Sequence, residues 1–408
     1  MLRLLVYGLI TFSNFHGCAL APDNQTGYIV TLDTTFFFKS TDGGATWQRV
    51  NTTASRKFFD VTCVDENHIW TCGILGEIMY SADGGQSWQL QVTGISKYMT
   101  RIEFLDTLKG WCVGGDGTIA YTVDGGQNWN VVFTTWYEAE FYGVTFADEY
   151  VVYAVAGWPD NFIEKQGYII RSTNGGANWS LLKQSTGFDE YLDIHAVDQD
   201  VIVVVGGNDL TLEPVILRST NAGYSWDSIT NLPPSARYLR AVDFVGNKGW
   251  AVGRSGTILY TEDGGLTWTQ QFSPADSTLF DVDFSDELHG IACGYNYIIY
   301  THDGGQTWHA AHIEGISENF TSQVIFRAET PVFRSNAKFT VINNHSPYTI
   351  KIFNPSGQLV KEISGRDDGS VVWDGKNLKG QRVKSGVYYA VLEVRGITKN
   401  VKLIKIQD

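Results

Sequence analysis

The sequence predicts an all-β fold: a seven-bladed β-propeller followed by a small immunoglobulin-like β-sandwich. Three observations carry this. One short motif recurs seven times, alternating β-rich runs surround every copy, and near residue 328 the motif stops while the charge changes sign. The first copy reads Ser40-Thr41-Asp42-Gly43-Gly44-Ala45-Thr46-Trp47. The others centre on Asp83, Asp124, Asn174, Asn221, Asp263 and Asp303, and close on Trp88, Trp129, Trp179, Trp226, Trp268 and Trp308. By subtraction the tryptophans lie 41, 41, 50, 47, 42 and 40 residues apart, which is the period of a propeller blade.

Each copy reads as a tight turn between two strands. The Asp or Asn side chain can accept backbone N–H bonds a few residues on. The paired glycines admit a positive φ. The fifth copy departs, with Ala222-Gly223 in their place. The spacing predicts four strands per blade, most clearly in blade 6: Arg240–Phe244, Gly249–Gly253, Thr257–Thr261 and Trp268–Phe272. No segment has a sustained helical period. The motif resembles the Asp-box of β-propellers, so its seven carboxylates and amides are expected to form turns rather than to catalyse.

The chain has 408 residues and a net charge of −14. Residues 1–332 carry 17 basic and 38 acidic side chains, a net of −21; residues 333–408 carry 13 and 6, a net of +7. An acidic body argues against nucleic-acid binding, which needs a basic surface. Residues 1–21 are expected to be an export signal: Arg3 is the only charge, Leu4–Phe12 is mostly apolar, and Ala19-Leu20-Ala21 fits a small-x-small cleavage site. Gly17-Cys18 faintly suggests a lipoprotein site instead. Cys63 and Cys72 lie on adjacent predicted strands and either bridge or serve as small buried apolar groups. Cysteine and histidine spacing gives no metal signature, and no cofactor is expected.

The propeller is expected over residues 22–328 and the sandwich over 333–408. The tail offers six short apolar runs. Its segment Asn354-Pro355-Ser356-Gly357-Gln358-Leu359-Val360, with Trp373-Asp374-Gly375 and Gly386-Val387-Tyr388-Tyr389, resembles the sorting domains of type IX secretion substrates and the hook-capping immunoglobulin-like domains. That resemblance implies contact with an export machinery and delivery to the periplasm, cell surface or medium.

The run Lys109–Trp129, repeated at Lys248–Trp268, resembles the photosystem II stability/assembly factor family of Asp-box propellers. The resemblance implies a non-enzymatic scaffold that holds a protein, partly through an arginine patch. Arg101 and Arg240 each stand 28 residues before a motif tryptophan, and Arg171 and Arg218 share a second position. These pairs either form such a patch or brace neighbouring carboxylates. Asp-boxes also occur in sialidases and glucan hydrolases, which leaves a carbohydrate-active enzyme or glycan binder as the alternative. The Arg-Ile-Pro of a sialidase is missing, and no serine, cysteine or metal catalytic signature stands in the chain.

Long loops and blade connections place aromatics on one face over blades 3–6. Trp136, Tyr137, Trp158, Phe162 and Tyr191 are the candidate contacts there, with Arg101 and Arg240, for a protein partner or a cell-surface glycan. The protein is expected to be a monomer. Because cleavage near Ala21 would remove the first strand of blade 1, residues 320–327 are expected to close the ring in its place.

Overall fold

The computed structural model describes residues 14–407, except 33–36, 52–56, 134–138, 158–165, 186, 209, 315–324, 329–331, 343–346, 367–368 and 395–396. The chain separates into two compact units, Met1–Gly315 and Ile316–Asp408.

The first unit is the propeller. Its seven inner strands are Phe15–Leu20, Phe58–Cys63, Met99–Phe104, Glu140–Phe146, Asp189–Ala196, Leu239–Val245 and Leu279–Phe284. Each leads into three further antiparallel strands, giving one sheet per blade. Blade 6 matches expectation, with Leu239–Val245, Lys248–Gly253, Ile258–Thr261 and Thr269–Gln270. Alternation sets the packing: one side of each strand meets the blade before, the other the blade after. Trp70 stacks on Phe104 of the next blade at 3.8 Å between ring centroids, and Trp250 on Phe284 at 3.5 Å.

The seven motifs form the turns between third and fourth strands. In the first, Asp42 accepts the Thr46 N–H at 2.8 Å and the Thr46 hydroxyl at 2.7 Å, while Ser40 Oγ accepts the Gly44 N–H. The two glycines sit at φ 69° and 91°, where a Cβ costs energy. Asn174 and Asn221 make the same backbone bond at 2.9 Å, so the turn needs an acceptor rather than a charge. Arg171 and Arg218 reach from the adjoining third strands to the next blade's motif, donating to the Ala222 and Gly264 carbonyls at 2.9 and 2.7 Å. Lys39 does the same to Gly84 at 2.7 Å. These cations brace the blades and form no patch.

Phe15–Leu20 is the inner strand of blade 1 and pairs with Gly27–Thr31. Its Cys18 and Leu20 N–H groups donate to Asp281 and Asp283 of blade 7 at 2.8 and 2.6 Å. At the rim, His312–Ile313 leaves blade 7 and pairs in parallel with Thr46–Val50 of blade 1. The expected closure by residues 320–327 is therefore wrong. Residues 320–324 lie outside the described residues, and Ile325–Ala328 pairs with Ala337–Ile342 in the second unit, where Phe326 stacks on Phe339. The propeller boundary moves from 328 to 315 for the same reason. Cleavage at Ala21 fails too, since it would strip the strand that satisfies two buried carboxylates. A lipid on Cys18 would need a side chain free of the fold, yet Cys18 is 4% exposed.

Cys63 and Cys72 do not face each other. Cys63 pairs with Ile69, and Cys72 pairs with Asp60 at the other end of the same two strands.

The second unit is a two-sheet sandwich. Ile325–Ala328, Ala337–Ile342 and Gly369–Trp373 form one sheet. Val332–Phe333, Ile397–Lys405, Gly386–Val394, Pro347–Phe353 and Leu359–Arg366 form the other. Phe339, Ile350, Trp373, Leu392 and Leu403 build a core common to both.

Candidate functional site: the channel mouth

Every inner strand carries a β-bulge at the same place, shown by the shifts between Phe15/Gly17, Phe58/Asp60, Val113/Gly114, Phe141/Gly143, Tyr191/Asp193, Leu239/Ala241 and Leu279/Asp281. A bulge re-aims one side chain. The seven residues so placed are His16, Phe59, Thr100, Tyr142, Leu192, Arg240 and Phe280. All seven line one cavity of about 350 Å³ at the end of the central channel. Inner strands start at this end, and third strands run parallel to them. The motif turns, which end the third strands, therefore lie at the opposite end and take no part in the cavity.

One residue further along, the ring reads Gly17, Asp60, Arg101, Gly143, Asp193, Ala241 and Asp281. Arg101 crosses the channel here. Its Nη1 donates to Asp281 at 2.7 Å, and it lies 3.7 Å from Asp60 and 3.6 Å from Asp193. The same carboxylates tie blades together: Asp60 accepts the Ile102 N–H at 2.9 Å and Asp193 the Val242 N–H at 3.0 Å. Gly17 and Gly143 leave them room, since a Cβ at either would come within 2.8 Å of an Asp60 or Asp193 oxygen.

Burial dominates the electrostatics of this layer. It pushes Asp60 up to about 7 despite the attraction of Arg101, and Asp193 up to about 6. Glu103, deeper in the channel, is pushed up to about 8 by burial, again against Arg101. Burial also opposes the charge on Arg101, but Asp193, Asp281 and Asp60 hold its pKa above the ordinary value.

At the mouth, Glu140 accepts hydrogen bonds from the Tyr98 and Tyr142 hydroxyls, the latter at 2.9 Å. Burial, and then the Glu140 charge, pushes the Tyr142 phenol up. His16 is stacked on Phe280 at 5.4 Å and meets Phe59 edge-on at 5.7 Å; burial lowers its pKa. Arg240 lies 5.2 Å from the Tyr238 ring and 6.0 Å from Phe280. Its Nε is buried without a hydrogen-bond partner, and no ion pair to it occurs among the described residues. Among the described residues, the mouth thus presents a guanidinium without an ion pair against aromatic walls. No group of acidic, histidine or cysteine side chains among the described residues could hold a metal.

The family model for the photosynthesis system II assembly factor YCF48 matches residues 49–118 and 187–273, and the BNR/Asp-box repeat model matches 299–310. The propeller resembles the Ycf48 assembly factors. Photosystem II assembly lipoprotein Ycf48 from Synechococcus sp. (strain CC9902) is 31% identical over 83 residues, covering 20% of this chain and 23% of that protein. The match thus spans less than a quarter of the relative's length. Two solved structures share the fold. YCF48 bound to D1 peptide has a TM-score of 0.57 and 18% identity, covering 72% of this chain and 95% of that one. YCF48 from Cyanidioschyzon merolae has a TM-score of 0.55 and 17% identity, covering 73% and 98%.

In this Ycf48-like propeller the two candidate arginines separate. Arg101 is partly buried and held by its three aspartates, while Arg240 makes no ion pair among the described residues; both line the cavity. Counting back from the motif tryptophan aligned them wrongly. The first hairpin of blade 3 runs from Phe104 to Gly110, one residue longer than the Phe244 to Gly249 hairpin of blade 6. Arg240 therefore matches Thr100, and Arg101 matches Ala241. A one-residue slip changes the face. Tyr191 is 2% exposed and packs between blades with Tyr153 and Leu217, so it is no surface contact. Phe141 and Tyr238 are buried as well. Trp136, Tyr137, Trp158 and Phe162 lie outside the described residues. Glu140 and Gly157, which flank those two segments, pair with each other, and Glu140 lines the cavity. His16, Phe59, Tyr98, Glu140, Tyr142 and Phe280 were missed. Period-two alternation assigns such residues to strand surfaces, and the one-residue offset of a bulge near the start of a short strand leaves too few residues before it to be read.

Proposed function

We propose that this protein is a non-enzymatic scaffold whose channel mouth holds a segment of a partner polypeptide. The observation that carries the reading is Arg240: a guanidinium with no anion among the described residues, in an aromatic-walled cavity open at one end. A carboxylate or carbonyl of a partner chain supplies the missing acceptor, and an apolar side chain beside it packs on the aromatic walls of the cavity. The likeness to YCF48 bound to D1 peptide supports a peptide occupant. Against hydrolysis stands the engagement of the carboxylates: Asp60, Asp193 and Asp281 hold Arg101 and backbone N–H groups, and Glu140 holds two phenols. The name of the lipoprotein relative supports an exported protein. The tail sandwich serves delivery to or attachment at the cell surface.

The test is affinity capture from the source cells' surface fraction with the wild-type chain and Arg240→Glu, with a glycan array alongside. A protein retained by the wild type and lost by the variant, at unchanged thermal stability, is the expected result. Selective glycan binding with turnover would replace this reading with the hydrolase one.

A further inference from the structure

Two buried thiols flank the seam where the ring closes. Cys18 stands inside the strand Phe15–Leu20 and is 4% exposed; its N–H donates to Asp281 of blade 7. Asp281 is the cross-strand partner of Cys293, which is fully buried. The arrangement has a counterpart between blades 2 and 3. There Ile102 donates its N–H to Asp60, the cross-strand partner of Cys72, and Ile102 and Cys72 share one core cluster. Cys18 stands where Ile102 does, and Cys293 where Cys72 does. By that equivalence Cys18 and Cys293 face each other across the seam, both as free thiols.

We propose that Cys18 and Cys293 form a disulfide that locks blade 1 to blade 7. The equivalence with Ile102 and Cys72, which pack in one core cluster, puts the two side chains in the same layer of the seam, the placement a disulfide needs. The seam is where a covalent link constrains most. It joins residues near the two ends of the propeller, and the entropy removed from the unfolded chain grows with the loop enclosed. No other blade boundary offers that, because every other pair of neighbours is already joined by a short connection.

The oxidant is a small disulfide such as oxidised glutathione. One protein thiolate attacks its S–S bond, forming a mixed disulfide and expelling one glutathione thiolate. The second protein thiolate attacks the protein sulfur of that mixed disulfide and expels the other glutathione. Two electrons pass to the oxidant, and the two protein protons end on the two glutathione thiols. Burial holds both thiols above their ordinary pKa, so thiolate is scarce in the closed ring. The bond forms while the seam is open, during folding, and is then shielded from reduction.

The full chain is produced in an oxidising and in a reducing expression compartment, alkylated in denaturant without reductant, and peptide-mapped. The expected result is a Cys18–Cys293 linked peptide only from the oxidising compartment. The unfolding midpoint should fall by roughly 5–10 °C when that sample is reduced. Cys293→Ala should remove both the linked peptide and the redox difference, and Cys63→Ala should keep both. Free Cys18 and Cys293 in the oxidising sample, or either one linked to another cysteine, would overturn the proposal. Should Cys293→Ala fail to fold, the wild-type map still decides.

Discussion

The two ends of the propeller follow different rules. At one end a single turn repeats seven times, and the same acceptor bonds hold it whether the residue is Asp42 or Asn174. At the other end seven equivalent bulges carry His16, Phe59, Thr100, Tyr142, Leu192, Arg240 and Phe280, no more than two alike. The backbone is as regular at the mouth as at the turns; only the side chains differ. Repetition marks what every blade needs to exist. The mouth is free of that demand, and there the chain can differ from blade to blade to build something specific.

The closing seam is the largest test of the regular part. A chain beginning at Pro22 loses the inner strand of blade 1, leaving Asp281 and Asp283 buried without the Cys18 and Leu20 N–H groups. It should show no cooperative thermal transition. A chain ending at Gly315 lacks the second unit yet keeps the seam bonds of Cys18, Leu20 and His312–Ile313, and should retain its transition. If the second truncation abolishes folding and the first does not, the seam described here is wrong.

That contrast also shows what the sequence made legible. The motif count gave seven blades, and alternation placed the strands of blade 6 nearly to the residue. Both signals are local, and neither says which strand completes a ring. Closure depends on contacts between residues about 263 apart, such as Leu20 with Asp283, and such contacts leave no period. The mouth was hidden for a second reason. The sequence places its candidate contacts in long aromatic loops, most of which lie outside the described residues, and the described cavity is lined by bulged residues on inner strands. Gly17 and Gly143 give Asp60 and Asp193 room across the blade boundary, a relation between residues about 40–50 apart that no local pattern shows.

Arg101 and Arg240 sharpen the comparison. Arg101→Met leaves Asp60, Asp193 and Asp281 buried with no cation, and should cost about 3–5 kcal/mol in denaturant unfolding. Arg240→Met removes a cation that has ring contacts but no ion pair among the described residues, and should cost under about 1 kcal/mol. Equal losses would mean that Arg240 is also part of the ring's support.

Acid and base should act on opposite ends. Glu103, Asp60 and Asp193 have folded pKa values raised to about 8, 7 and 6, and Asp283 is raised well above its ordinary value by burial and then by Asp243. Above an unfolded pKa of about 4, the unfolded chain binds fewer protons at these groups than the folded one. Their contribution is therefore fully present below pH 4 and is lost as pH rises through 6 to 8. Asp83 at the motif end runs the other way. Bonds from the Ser87 hydroxyl and N–H lower it to about 2, so its contribution is lost as pH falls from 4 toward 2. The unfolding midpoint should peak near pH 4–5 and decline on both sides. Glu103→Gln should flatten the upper limb between pH 7 and 8, and a midpoint that climbs steadily to pH 8 would contradict the channel electrostatics.

The smallest expected effect concerns one motif residue. Asp83 accepts the Ser87 N–H at 2.8 Å through Oδ1 and the Ser87 hydroxyl through Oδ2 at 2.6 Å. Asn221 keeps the first of these bonds at 2.9 Å, and its amide nitrogen donates to the Ser225 hydroxyl at 2.9 Å, so the second survives with donor and acceptor exchanged. Asp83→Asn should do the same with Ser87. At pH 7 the midpoint should then move by no more than about 1 °C, within the range of a surface change. At pH 2.5 the wild-type carboxylate is partly protonated and weakens as an acceptor, while the amide does not titrate. The variant should therefore lose less stability than the wild type between pH 7 and pH 2.5. Thermal melts at the two pH values measure both shifts. An equal acid loss in the two proteins would mean that the charge of this turn carries no stability at all, and that the turn is held by geometry alone.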